Sequence, residues 1–202
     1  MIYLYSGTPG SGKSLHSAQV IYSRLRISKN VVANFEINTQ NIKKCKGDFF
    51  CVNNLDLSTP QILRTYSDAY FYNHKFKEGK LLAIIDESQI LFNARSWNAR
   101  GRDDWLNFLS NHRKYGFDII LIAQFDRMLD RQIRSLIEYE YIHRKVSNFG
   151  LGGKVLSILS AGNMFVSVKM WYPLKERIGC EFFRANKKYY SIYDSYNRFD
   201  RT

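Results

Sequence analysis

With 202 residues, 45% of them hydrophobic, the chain can bury the core of one α/β domain with a small appendage and is too short for two full-sized domains. No charged leader with an apolar run and a small-residue cleavage site opens it, and no stretch approaches the roughly 18 consecutive apolar residues of a membrane-spanning helix, so neither signal-peptide secretion nor a spanning segment is expected. The net charge of +12 is spread along the chain without a dense tract, which leaves open nucleic acid, an acidic membrane surface or a merely solvated basic exterior. Cys45, Cys51 and Cys180, an odd count without metal-ligand spacing or a Cys-x-x-Cys pair, read as free thiols of a reducing compartment.

The first element is a short apolar strand, Ile2 to Tyr5, followed directly by Gly7-Thr8-Pro9-Gly10-Ser11-Gly12-Lys13-Ser14, a complete phosphate-binding loop. Leu15, Ala18, Tyr22 and Leu25 then recur at helical spacing to about Ile27, so the loop lies between a strand and a helix N-terminus, as anion binding requires. Strands are expected at Val31 to Phe35 and Phe49 to Val52. Thr59-Pro60 reads as an N-cap with proline at the first helical position, ahead of a buried stripe of Ile62, Tyr66 and Tyr70 and a close at Gly79. Leu81 to Ile85 is an uninterrupted apolar run suited to a strand buried on both faces. Asp103 or Asp104 is expected to cap a helix bearing Trp105, Phe108, Leu109 and His112, with Gly116 in the left-handed position after it. Ile119 to Ala123 is another buried strand, Asp130 caps a short helix through Ile133, Leu136 and Ile137, and Tyr139 to Val146 alternates as a strand does. Beyond a break at Gly150, Gly152 and Gly153, Phe165 to Trp171 and Glu181 to Arg184 look extended and rich in aromatics.

The expectation is a P-loop NTPase fold: α/β, a doubly wound, mostly parallel sheet with helices on both faces and a small β-rich C-terminal extension. All of residues 1–202 form one domain in this reading, with a nucleotide-binding core over 1–149 and the extension over 150–202.

The residue types assign the chemistry. Gly7, Gly10 and Gly12 let successive backbone N–H groups turn inward around phosphate oxygens, Lys13 supplies a charge for the β and γ phosphates, and the Ser14 hydroxyl is suited to Mg²⁺. Asp86 ends the buried run and is placed to reach the metal shell, while Glu87 can orient or deprotonate water. An acid adjacent to the metal-binding Asp favours hydrolysis over a small-molecule kinase, which uses the same loop but needs a lid and an acceptor pocket. Gln124 ends the strand from Ile119. If that strand lies between the loop strand and the Asp86 strand, its amide falls beside the γ phosphate as a sensor. Among the arginines at 95, 100, 102, 113, 127, 131 and 134, Arg131 and Arg134 are the preferred candidates to reach a neighbouring subunit's γ phosphate. Arg95-Ser-Trp97-Asn-Ala-Arg100-Gly-Arg102 suits a grip on a nucleic-acid strand, or a packed loop whose Trp97 fills a groove.

The loop from Gly7, the Ile84-Ile85-Asp86-Glu87-Ser88-Gln89 stretch, and His112-Arg113-Lys114-Tyr115-Gly116 leading to Ile122-Ala123-Gln124 together resemble the zonular occludens toxin family, which includes the gene I type assembly proteins of filamentous phages. The resemblance spans the first strand to about Ile142. It implies a cytoplasmic ATPase domain at the inner membrane, related to DNA-pumping motors, that powers extrusion of a single-stranded DNA phage. It also implies ATP with Mg²⁺, a homo-oligomer of the ring type, and partners among single-stranded DNA and phage coat or assembly proteins. The matching positions are Gly7 to Ser14, Asp86, Glu87 and Gln124; His112 and Arg113 share the pattern without a role that the residues themselves supply. Family members usually continue into a membrane-spanning helix and a periplasmic segment, which carry any toxin-like activity and any membrane association. Neither is in this sequence, so toxin activity is not transferred to it. The competing reading is a nucleotide-gated scaffold with little turnover.

Overall fold

In the computed structural model, which describes residues 1–52, 59–93, 102–148 and 164–193, the chain opens with β1 (Ile2–Ser6), α1 (Lys13–Arg26) and β2 (Asn30–Ala33). It continues through β3 (Phe49–Cys51), α2 (Thr59–Tyr72), β4 (Leu81–Ile85), the single turn α3 (Ser88–Leu91) and α4 (Arg102–Asn111). β5 (Phe117–Ile122) and α5 (Arg131–Ser135) lead to β6 (Tyr139–Lys145), and β7 (Met164–Trp171), β8 (Glu176–Arg184) and α6 (Lys187–Tyr190) complete the described chain.

The strands form one eight-stranded sheet in the order β3-β2-β4-β5-β1-β6-β7-β8. From β3 to β6 every pairing is parallel, and β7 and β8 add to β6 as an antiparallel hairpin. Every residue of β4 is buried because helices cover both faces of the central strands, which is why Leu81 to Ile85 carries no polar side chain. One face packs Leu4, Ala83, Ile85 and Leu121 against Leu63 of α2, Trp105 and Phe108 of α4 and Ile133 of α5. The other packs Tyr5, Val31, Ile84 and Ile120 against Ala18, Ile21 and Leu25 of α1. No helix among the described residues is long and apolar enough to cross a membrane.

Several local expectations are corrected. In α2 the buried residues are Thr59, Pro60, Leu63 and Ser67, whereas Ile62 is 37% exposed. Tyr66 and Tyr70 pack only partly, so the inward stripe is centred one residue later than expected. Thr59 lies within α2 rather than ahead of it, and Asp103 and Asp104 lie in the first turn of α4, where their charge complements the helix dipole instead of capping it. β2 ends at Ala33, and Phe35 is buried beyond it; β8 begins at Glu176, five residues before Glu181. Asp130 does cap α5, accepting from the Gln132 amide at 2.9 Å. The expected glycine break at 150–153 and the Arg95, Trp97 and Arg100 segment lie outside the described residues.

Candidate nucleotide site

Parallel register brings three strand tips together. β5 pairs with β1 on one side and β4 on the other, so the condition placed on Gln124 is met: the strand it follows lies between the loop strand and the Asp86 strand. Tyr5 is level with Ile122 and Ile85 with Leu121, which sets Gly7, Asp86 and Gln124 at one end of the sheet. The tips are also bonded. The Gly7 amide donates to the Gln124 carbonyl at 3.1 Å, and the Ser88 hydroxyl to the Ile122 carbonyl at 2.8 Å. Asn34, just past β2, fixes the Asp86 backbone from both sides, accepting from its amide at 2.7 Å and donating to its carbonyl at 3.0 Å.

The loop conformation depends on glycine at three positions. Gly7 has φ 142°, Gly10 φ 73° and Gly12 φ 97°, in the region that side chains rarely adopt. A Cβ on Gly7 would lie 2.5 Å from the His143 carbonyl oxygen, and one on Gly12 would lie 2.7 Å from the Phe165 ring. The cradle is therefore shaped from behind by β6 and β7. Lys13, the first residue of α1, bends over the loop to donate to the Gly7 carbonyl at 2.5 Å and the Thr8 carbonyl at 3.2 Å. Burial pushes its ammonium below the ordinary range, opposed by the negative charges of Asp86 and then Glu87, so both acids act electrically on Lys13. Ser14 follows, half-buried, and the Ser11 hydroxyl is buried inside the loop with no hydrogen-bond partner.

Asp86 is buried, with Oδ1 accepting from the Glu87 amide at 2.8 Å. Glu87 adopts φ 51°, a left-handed conformation that costs a non-glycine residue about 1 kcal/mol and turns the chain into α3. Its carboxylate accepts from the Gln89 amide. The residue set fits a nucleoside triphosphate with a divalent cation: a loop turned by glycines at positive φ, one lysine, an orphaned loop hydroxyl, and the oxygens of Ser14 and Asp86, few enough to leave the rest of a Mg²⁺ shell to phosphate and water.

Other candidates are placed elsewhere. Arg131 and Arg134 sit on α5, Arg131 exposed, and no described contact joins either to the loop. Arg102 binds Gln132 at 2.5 Å and lies 3.8 Å from Asp130, and Arg113 pairs with Glu138 at 2.7 Å. His112 is buried, its Nδ1 at 2.6 Å from the Leu109 carbonyl, a structural place at the end of α4.

Two histidines behind the loop escaped the sequence reading. His16 Nδ1 lies 2.8 Å from His143 Nε2, both buried, and His143 Nδ1 lies 3.2 Å from the Ser6 carbonyl. Tyr5 stacks on His16 at 4.7 Å and Phe183 approaches it at 5.1 Å. The available signals were the spacing of His16 three residues after Lys13 and the alternation Tyr139, Tyr141, His143, which turns all three toward α1. Burial pushes the His16 imidazole down to about 4 and that of His143 to about 3, where the neighbouring His16 and Lys13 add to the effect.

The model of the family described as zonular occludens toxin (Zot) matches residues 1–198. The Gene 1 protein of Enterobacteria phage M13 is 29% identical over 175 residues, an alignment covering 81% of this chain and 48% of that protein; the chain thus spans about half the length of the curated relatives it matches. Among solved structures, the N-terminal domain of zonular occludens toxin from Neisseria meningitidis superposes with a TM-score of 0.58 at 18% identity, covering 96% of this chain and 98% of that one. The genome packaging NTPase B204 from Sulfolobus turreted icosahedral virus 2, in complex with ATP-gammaS, gives 0.54 at 13% identity, covering 92% and 97%. These likenesses show a P-loop NTPase fold, and the family match over nearly the whole sequence shows that the chain belongs to the zonular occludens toxin family.

Proposed function

We propose that this chain is an ATP-hydrolysing motor domain that powers assembly and extrusion of a filamentous phage from the cytoplasmic face of the inner membrane. The observation that carries the reading is the convergence of Gly7, Asp86 and Gln124 at adjacent strand tips, with Lys13 in the field of both acids. Gly7 to Ser14 bind the triphosphate, with the amides and Lys13 neutralising its charge. Ser14 and Asp86 hold Mg²⁺, which when bound screens the phosphates and draws electron density from the terminal phosphoryl group. Glu87, released from Gln89, accepts a proton from the attacking water. Gln124 senses the terminal phosphate and, through its backbone bond to Gly7, passes the change to the sheet. Arg131 or Arg134 acts on a neighbouring subunit in a homo-oligomeric ring, and the +12 charge meets single-stranded DNA or an anionic membrane surface, with phage coat or assembly proteins as further partners.

The test is phosphate release by wild type and Glu87→Gln, with and without single-stranded DNA, alongside particle mass across protein concentration. Glu87→Gln is expected to lose roughly 10²- to 10⁴-fold in turnover while keeping nucleotide affinity. Turnover unaffected by the substitution overturns the assignment of the base. A second reading, a nucleotide-gated scaffold, is favoured by the Glu87–Gln89 hydrogen bond, which occupies the carboxylate needed for water activation. Tight nucleotide binding without hydrolysis at any concentration, with or without DNA, would select it.

A further inference from the structure

The segment after β8 returns from the sheet edge across α1 to the metal-site acid. Tyr189 packs edge-on against Tyr22 of α1, with centroids 5.6 Å apart; Ile192 is 1% exposed; and Tyr193 meets Phe35 at 4.7 Å. Two hydrogen bonds tie the same segment to the turn after β2. The Asn38 amide donates to the Ile192 carbonyl at 2.9 Å, and Asn41 Nδ2 to the Ser191 carbonyl at 2.6 Å. Tyr193 then donates its hydroxyl to Asp86 Oδ2 at 3.1 Å. The other carboxylate oxygen already accepts from the Glu87 amide, so the two bonds together fix the rotation of the carboxyl group about its Cβ–Cγ bond.

We propose that Tyr193 is a positioning residue for the divalent cation bound with the nucleotide, holding the Asp86 carboxylate in its metal-binding orientation from a strap that reaches the site across α1. The inference rests on the reading of Asp86 as a cation-binding acid. The hydroxyl is delivered by a half-buried ring packed edge-on against Phe35 rather than by a free side chain, which limits the rotamer entropy that opposes the bond. Partners of this kind, which orient a metal-binding group without touching the metal, typically carry a 10- to 100-fold effect on metal affinity, roughly speaking.

The experiment uses the full chain and Mn²⁺ as probe, titrated into the ADP-bound protein and followed by electron paramagnetic resonance, with mant-ADP affinity measured separately in EDTA. Tyr193→Phe keeps the ring against Phe35 and is expected to weaken Mn²⁺ binding about tenfold or more while leaving cation-free mant-ADP affinity unchanged. Tyr189→Phe, on the same strap but with its ring against Tyr22, is expected to change neither. Unchanged or tighter Mn²⁺ binding in Tyr193→Phe, while Asp86→Asn weakens it, overturns the proposal and leaves the cation-site reading standing. Equal weakening by Tyr189→Phe, or a matching loss of cation-free affinity in Tyr193→Phe, also overturns it, since either marks general distortion. If Asp86→Asn itself leaves Mn²⁺ binding unchanged, it is the underlying reading of Asp86 that fails.

Discussion

Acidification between pH 7 and 5 should destabilise this fold through the histidine pair behind the phosphate loop. His143 keeps its Nδ1 proton on the Ser6 carbonyl, so its Nε2 accepts from His16 Nδ1, and both rings are neutral in the folded chain. The surrounding groups are Tyr5 from β1, Tyr141 from β6, Lys13 from α1 and Phe183 from β8, and the aromatic rings give an added proton little solvation. With folded values of about 4 and 3 against about 6.5 unfolded, only the unfolded chain binds protons in this window. The stabilisation is therefore complete above about pH 6.5 and is lost as pH falls toward the folded values. Integrating from pH 7 to 5 gives about 1.8 kcal/mol for each ring and roughly 3–4 kcal/mol for the pair. At a urea m-value of about 2 kcal/mol/M, the unfolding midpoint falls by about 1.5–2 M. His112, also held down by burial, contributes in wild type and variant alike, so comparison with His16→Gln/His143→Gln isolates the pair. Urea melts at pH 7, 6 and 5 provide the measurement, with the imidazole signals followed by NMR. If the two proteins lose stability in parallel, or if either imidazole titrates near pH 6.5 in the folded protein, the reasoning is refuted.

Gly12→Ala meets both an unfavourable φ and the Phe165 ring, so it is expected to cost about 2–4 kcal/mol and to weaken nucleotide binding; a urea midpoint and a mant-ATP titration equal to wild type would contradict it. Asp118 accepts from Arg24 Nη2 at 2.6 Å and the N-terminal ammonium at 2.9 Å; burial pushes its carboxyl up, but those two bonds prevail and hold it below the usual range. Its contribution is therefore present above about pH 4 and lost below, and Asp118→Asn is expected to cost about 2–3 kcal/mol at pH 7, read as a lower urea midpoint.

Much of the site was legible because its chemistry is local in sequence. The residues from Gly7 to Ser14, and the acids directly after an all-apolar strand, each carry their signal within a few positions. The place of β5 was not local. Nothing between Phe117 and Ile122 says that this strand separates β1 from β4, since either order buries an apolar run on both faces. Ile62 was misjudged for a related reason: apolar identity marks a helix stripe only when the inward positions are apolar, and in α2 the inward surface includes Thr59 and Ser67, whose hydroxyl donates to the Tyr115 carbonyl at 2.8 Å. His16, His143 and Tyr193 were missed because their partners lie 127, 127 and 107 residues away, so no local pattern pairs them.

These long-range bonds bear on how a nucleotide-driven change would spread. The loop is joined to β5 at Gln124, β5 accepts from Ser88 at Ile122, and Ser88 follows the Asp86–Glu87 pair. Asn34 and Tyr193 then clasp Asp86 from β2 and from the strap across α1. A displacement at any tip must stretch a hydrogen bond to the next or carry that neighbour with it, and the strands beneath are close-packed on both faces and resist bending. The least constrained response is a concerted shift of tips and strap against the sheet. Because the strap reaches the acid on which cation binding is proposed to depend, that shift provides a route by which the state of the terminal phosphate would be felt at the far edge of the fold.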